Sequence, residues 1–181
     1  MATLALLGGS FNPPHVGHLL AAHYVYATQA VDAVWMMPSF HHPFGKDLAP
    51  FEHRLAMCAL IARDAAGWLH ASDVERDVGG EGRTVDTLEH LHRTRPRDSF
   101  VLVIGSDIVK DLPHWKDFER IRKLAQVLVL FRAGHPAEGA VGPPLAEISS
   151  TLIRDSLARG ERPEGSVPRR VLEYMDANAL Y

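Results

Sequence analysis

The sequence predicts an α/β protein built on an open parallel sheet with helices on both faces. Three observations predict it. Short apolar runs recur along the chain; helix-like stretches alternate with them; and the runs are continuous rather than alternating, as expected of strands buried on both sides. Together they describe a Rossmann-like sheet with right-handed connections. The 181 residues, 46% hydrophobic and 23% charged, suffice for one domain with a proper core. A single domain over 1–181 is expected, with a helical C-terminal part from about 149 to 181.

The strands read as Leu4–Leu7, Ala33–Met37, Phe100–Ile104 and Val127–Phe131. From Gly17 to Gln29, Leu19, Leu20, His23, Tyr24 and Tyr26 recur at roughly helical spacing. From Phe51 to Ala66, an apolar face of Leu55, Cys58, Ala59 and Ala62 predicts a second helix. Thr84 to Arg95, with Val85, Leu88 and Leu91 among polar residues, predicts a third, and Asp117 to Leu124 a shorter one. The Gly- and Pro-rich stretch 134–144 reads as the most flexible internal loop. Near the end, Ser149 or Ser150 is positioned to cap a helix that Gly160 stops, and Pro168 suits the first turn of another.

The composition excludes several classes. A net charge of −3 argues against a protein that coats nucleic acid, while leaving room for a locally positive pocket. No run is long and apolar enough for a membrane span, and no secretory leader is recognisable. Cys58 is the only cysteine, so no internal disulfide or thiolate metal cluster is expected; a small buried helix residue is its simplest reading. These features point to the cytoplasm.

The chemistry is concentrated at the first turn, "GGSFNPPHVGH" (8–18), which follows the first strand and leads into a helix. At the carboxyl end of a parallel strand, backbone N–H groups and a helix N-terminus favour an anion, typically phosphate. The turn matches neither the dinucleotide fingerprint nor the P-loop. His15 and His18, three residues apart, can face one side of the entering helix and donate to phosphate oxygens. A capped surface pair is the bland alternative. Metal ligation, with His23, His41 and His42 as further candidates, lacks a carboxylate at ligand spacing.

That turn resembles the (H/T)xGH signature of the nucleotidyltransferase superfamily, and "ISSTLIR" (148–154) resembles its second signature, I-S-S-T-x-I-R. Between them, "RTVDTLEHL" (83–91), "IGSDIVKDLPHWKDFERI" (104–121) and "FRAGHP" (131–136), followed by "PRRVLEYMDANALY" (168–181), are similar to segments of the bacterial nicotinate mononucleotide adenylyltransferases. The resemblance covers nearly the whole chain. It implies the nucleotidyltransferase fold and adenylyl transfer from ATP to nicotinate mononucleotide, giving nicotinate adenine dinucleotide and pyrophosphate, a step of NAD biosynthesis.

The resemblance also implies roles. His15 and His18 would contact the ATP phosphates, with His18 as the transition-state donor. Arg154 would hold the β- and γ-phosphates, completed by Ser149, Ser150 and Thr151 at the helix start. Gly8, Gly9, Ser10 and Phe11 would let the substrates lie against the backbone, with Gly105 beside them. Asp107 would accept from ribose hydroxyls, Trp115 would stack on the pyridine ring, Thr84 would mark where backbone captures the nicotinate carboxylate, and Arg132 would hold the mononucleotide phosphate. Mg²⁺ is expected as the ATP complex, held mostly by phosphates and water. The chain departs from the family pattern at Asn12, where Asp is usual, at Pro14, in the loop 38–47, where Lys46 stands in for a phosphate-gripping base, and at Arg83, beside the pyridine pocket. Two other readings stay open: a sister enzyme with another phosphate acceptor, such as nicotinamide mononucleotide or a phosphopantetheine-like compound, and a catalytically silent nucleotide sensor. Monomer and homo-oligomer are both open.

Overall fold

The computed structural model describes residues 1–41 and 48–181. Six parallel strands form one sheet: β1 (Thr3–Gly9), β2 (Ala33–Pro38), β3 (Leu69–Ala71), β4 (Ser99–Gly105), β5 (Gln126–Arg132) and β6 (Val141–Leu145), in the order β3-β2-β1-β4-β5-β6. The chain winds outward from β1 in one direction and from β4 in the other. The order therefore reverses between β1 and β4, and a crevice opens at their carboxyl ends. The register there is tight, with Leu6 opposite Leu102 and Leu7 opposite Val103.

Strand side chains alternate between two cores. Ala5, Leu7, Val34, Met36, Val101 and Val103 face one, which is covered by α1 (Val16–Thr28), α2 (Phe51–Ala62), α6 (Ser150–Ala158) and α7 (Arg169–Ala177). Leu4, Leu6, Phe100, Leu102 and Ile104 face the other, covered by α3 (Val74–Val78), α4 (Thr84–Thr94) and α5 (Phe118–Leu124). Every central strand is thus buried on both sides, which is why its apolar run is continuous.

All four expected strands lie within observed ones. Two strands and a nine-residue 3-10 segment, Ser106–His114, are additional. Three-residue β3 is too short to stand out in sequence. The stretch 134–144, expected as flexible loop, instead contributes most of β6, despite Gly142, Pro143 and Pro144. An edge strand tolerates proline because one side needs no ladder donor.

Two helices show which side they bury, and for α2 it differs from expectation. Along α1 the buried residues are Ala21, Ala22 and Val25, while Leu20 is 47% exposed and Tyr26 39%. Small residues let that helix approach the sheet, Leu19 and Tyr24 pack at the margin of the core, and Leu20 and Tyr26 point outward. Along α2, which ends at Ala62 rather than Ala66, the buried face is Phe51, Arg54, Met57, Cys58 and Ile61, and Ala59 is exposed. Helix α6 starts as the sequence suggests: Ser149 is its cap, accepting from the Leu152 N–H at 3.2 Å. Gly160 follows the helix with a φ of 76°, a conformation glycine adopts without strain.

Candidate active site

A cleft of about 1500 Å³ opens at the carboxyl edge of the sheet. That volume exceeds the common range for one small ligand and suits two. The turn after β1 forms its floor. Gly8 has open space where a side chain would project, and Gly9 carries the Phe11 ring 3.4 Å from the position of a would-be Cβ. Phe11 itself is fully buried and does not line the cleft, contrary to its expected place among the ligand contacts. Its ring packs edge-on against His18, centroids 4.7 Å apart, and supports that imidazole from below.

His15 and His18 stack with ring centroids 3.7 Å apart. His15 caps α1, and its backbone N–H donates to Nδ1 of His18 at 3.1 Å. Because Nδ1 accepts, a neutral His18 carries its proton on Nε2, leaving that atom as a donor. Burial and then the Arg132 charge lower the His15 pKa to about 4. Burial, then His15 and Arg132, hold His18 well below the ordinary histidine value. Both rings are therefore neutral at pH 7.

The second motif reaches the same turn from across the chain. Ser150 Oγ donates to the Pro13 carbonyl at 2.8 Å, and Arg154 Nη1 donates to the Asn12 carbonyl at 2.6 Å. The Asn12 side chain is buried, with Oδ1 accepting from the Ala49 N–H at 3.0 Å and the Tyr181 hydroxyl at 2.7 Å. Across the crevice, Arg132 donates to Asp107 at 2.9 Å with one arm and to the Ile148 carbonyl at 3.1 Å with the other. The Asp107 carboxylate folds back over Gly105, where a Cβ would fall 2.3 Å from Oδ1.

Thr84, Arg83, Trp115, Ser149 and Thr151 line the same cleft. Arg83 pairs with Glu81, and Trp115 packs edge-on to Phe118 at the border of the second core. Lys46 lies outside the described residues, as does His42. Among the described residues, no group of three or more His, Cys, Asp or Glu side chains is arranged to hold a metal ion. The sequence reasoning missed Arg54, Glu75 and Ser39, which also stand at the cleft or directly beneath it. Arg54 leaves one legible signal: it falls on the buried stripe of α2, three residues after Phe51 and four before Cys58.

A cytidylyltransferase-like family model matches residues 6–156. A protein of Myxococcus xanthus named probable nicotinate-nucleotide adenylyltransferase is 60% identical over 98% of this chain and 94% of its own length. The chain belongs to the nicotinate-nucleotide adenylyltransferase family. A member from Anaeromyxobacter dehalogenans, with the same name, is 51% identical over 98% of this chain and 96% of its own. The fold of the family is matched by a solved structure of Plasmodium falciparum nicotinic acid mononucleotide adenylyltransferase complexed with NaAD. Its TM-score is 0.86 at 18% identity, covering 100% of this chain and 98% of that one.

Proposed function

We propose that this cleft transfers the adenylyl group of MgATP to nicotinate mononucleotide. One observation carries the reading. Among the described residues, the buried side-chain polar atoms left without a hydrogen-bond partner are His15 Nδ1, Ser39 Oγ and Asp107 Oδ1, and all three belong to residues that line the cleft. Orphaned buried polar atoms are costly unless a ligand completes them. The family membership names the ligands that fit.

In the reaction, a phosphate oxygen of the mononucleotide attacks the α-phosphorus of ATP. The bond from that phosphorus to the bridging oxygen breaks, and pyrophosphate departs with the electron pair. The nucleophile is already an anion, so the protein needs no strong base; it must align two anions and spread the charge that develops. His18 Nε2–H is the donor aimed at that charge, with His15 beside it. Arg154 and the start of α6 hold the β- and γ-phosphates, where a planar five-donor group suits an anion. Asp107 Oδ1 takes a ribose hydroxyl. Arg132 takes the mononucleotide phosphate, exchanging its contact with Asp107 for the ligand. Trp115 and Thr84 receive the pyridine ring and its carboxylate, with Arg83 nearby. Magnesium enters as part of the ATP substrate, carried by phosphates and water. The chain acts as one domain in the cytoplasm, without nucleic acid or membrane.

The test is pyrophosphate release from MgATP with nicotinate and nicotinamide mononucleotides side by side. Release is expected to be faster with the nicotinate form and to fall about 10²–10³-fold in His18→Ala. Equal rates would remove the carboxylate preference. No release with either, despite ATP binding, would mean another acceptor or a silent sensor.

A further inference from the structure

Arg54 is 2% exposed, one of the largest fully buried side chains of the protein. It makes no ion pair with any described carboxylate. Among the described residues its guanidinium donates only to backbone: Nε to the Ala49 carbonyl at 2.8 Å, and Nη1 to the carbonyls of Ser10 and Ser39, both at 2.9 Å. Those three carbonyls belong to the turn after β1, the segment after β2 and the approach to α2, and all three residues line the cleft. The Phe51 ring covers another side, with Arg54 Cζ 5.6 Å from its centroid.

Among the described residues, the nearest groups able to supply negative charge do not. Burial pushes the Cys58 thiol far above its ordinary range, and burial pushes the Tyr181 phenol up as well, so both stay protonated. Carbonyl dipoles solvate a guanidinium without cancelling its charge. An isolated buried charge is expensive, and evolution usually pairs it. Here the cation lies directly beneath a cleft read as a polyphosphate site.

We propose that Arg54 is a fixed, buried cation whose countercharge is the substrate's phosphates, acting through space from under the turn rather than by contact. It is a positioning and electrostatic residue, distinct from Arg154, which reaches the ligand. The proposal rests on the phosphate-binding reading of the cleft. Its hydrogen bonds fix the three segments, and its charge raises the affinity of that fixed site for anions.

The experiment titrates two probes by calorimetry, inorganic pyrophosphate without divalent metal and neutral adenosine, into the unaltered protein, Arg54→Met and Arg54→Lys. Arg54→Met is expected to lose pyrophosphate affinity by about tenfold or more while adenosine affinity stays within about twofold. Arg54→Lys, which keeps the charge but not the fork, is expected to retain pyrophosphate affinity within about threefold. Equal pyrophosphate affinity in Arg54→Met overturns the proposal, as does a parallel loss of both probes, which would mark a purely structural role. If Arg54→Met fails to fold, Arg54→Lys decides: a tenfold loss of pyrophosphate affinity in that folded variant overturns the proposal. Absence of pyrophosphate binding in the unaltered protein would instead overturn the phosphate reading of the cleft itself.

Discussion

His15 and His18 stand where two neutral rings are stable and two charged ones are not. An unfolded chain protonates His15 near pH 6.5, whereas the folded chain does so only near 4. Between those values the unfolded state binds more protons, so stability is full above pH 6.5 and falls as the pH drops toward 4. His15 alone accounts for about 3 kcal/mol over that window; His18 shifts in the same direction. Urea denaturation at pH 7.5 and pH 4.5 should show the loss, and His15→Gln should flatten it; an unchanged slope would place both residues in solvent. Gly17 offers a second test. A Cβ there would lie 3.0 Å from His15 Nδ1 and 3.1 Å from Cε1. Gly17→Ala should gain helix propensity of up to about 1 kcal/mol yet displace the imidazole. Its melting temperature should hold or rise while pyrophosphate release falls. At this scale the sequence was informative because H-x-x-H and the arginine of the second motif are chemically conspicuous. Phe11 misled, since an aromatic in a ligand turn can serve as a support beneath it. Arg54 was harder to read, because a basic residue on an apolar stripe does not show that its guanidinium is buried against the Ala49, Ser10 and Ser39 carbonyls; packing reveals that.

The elements show why neighbouring serines in α6 are not equivalent. Ser149 caps the helix, while Ser150 binds the Pro13 carbonyl of the opening turn. Ser149→Ala should cost about 1 kcal/mol of stability. Ser150→Ala should leave most of that stability in place and raise KM for ATP, because it loosens the helix start from the turn. Denaturant titration and steady-state kinetics on both variants separate the two effects; identical behaviour would refute the division. Elements buried on both faces were legible as continuous apolar runs. Strand β6 was not, because the edge position that makes Pro143 and Pro144 tolerable is a property of the sheet, not of the segment. The face of α2 was legible only in part: Cys58 lies on it as expected, but Ala59 is exposed and Phe51, Arg54, Met57 and Ile61 complete the buried side, because the sheet decides which side of the helix packs.

For the molecule as a whole, the site is an effect of topology. Residues 12–15, 105–107, 132 and 148–154 meet because the winding reverses between β1 and β4, bringing distant segments to one edge. A ligand that ties them together must stabilise the fold. ATP at one hundred times its Kd should add about 2.7 kcal/mol, read as a rise of roughly 5–10 °C in Tm. Arg154→Ala should shrink that rise at the same ATP concentration; an unchanged shift would remove Arg154 from the phosphate contacts. The alternation of strands and helices made the fold class readable from sequence. The meeting of the two end motifs became physical only with the strand order.

The central place of β1 has a consequence for synthesis. During synthesis β1 lacks its β4 neighbour until residues 99–105 have followed, and its turn lacks Ser150 and Arg154 until later still. A nascent chain from which residues 150–154 have not yet emerged therefore carries the histidine turn with its ties to α6 unmade. The two end segments of the site are thus joined only late in translation, once α6 can fold back onto the turn after β1.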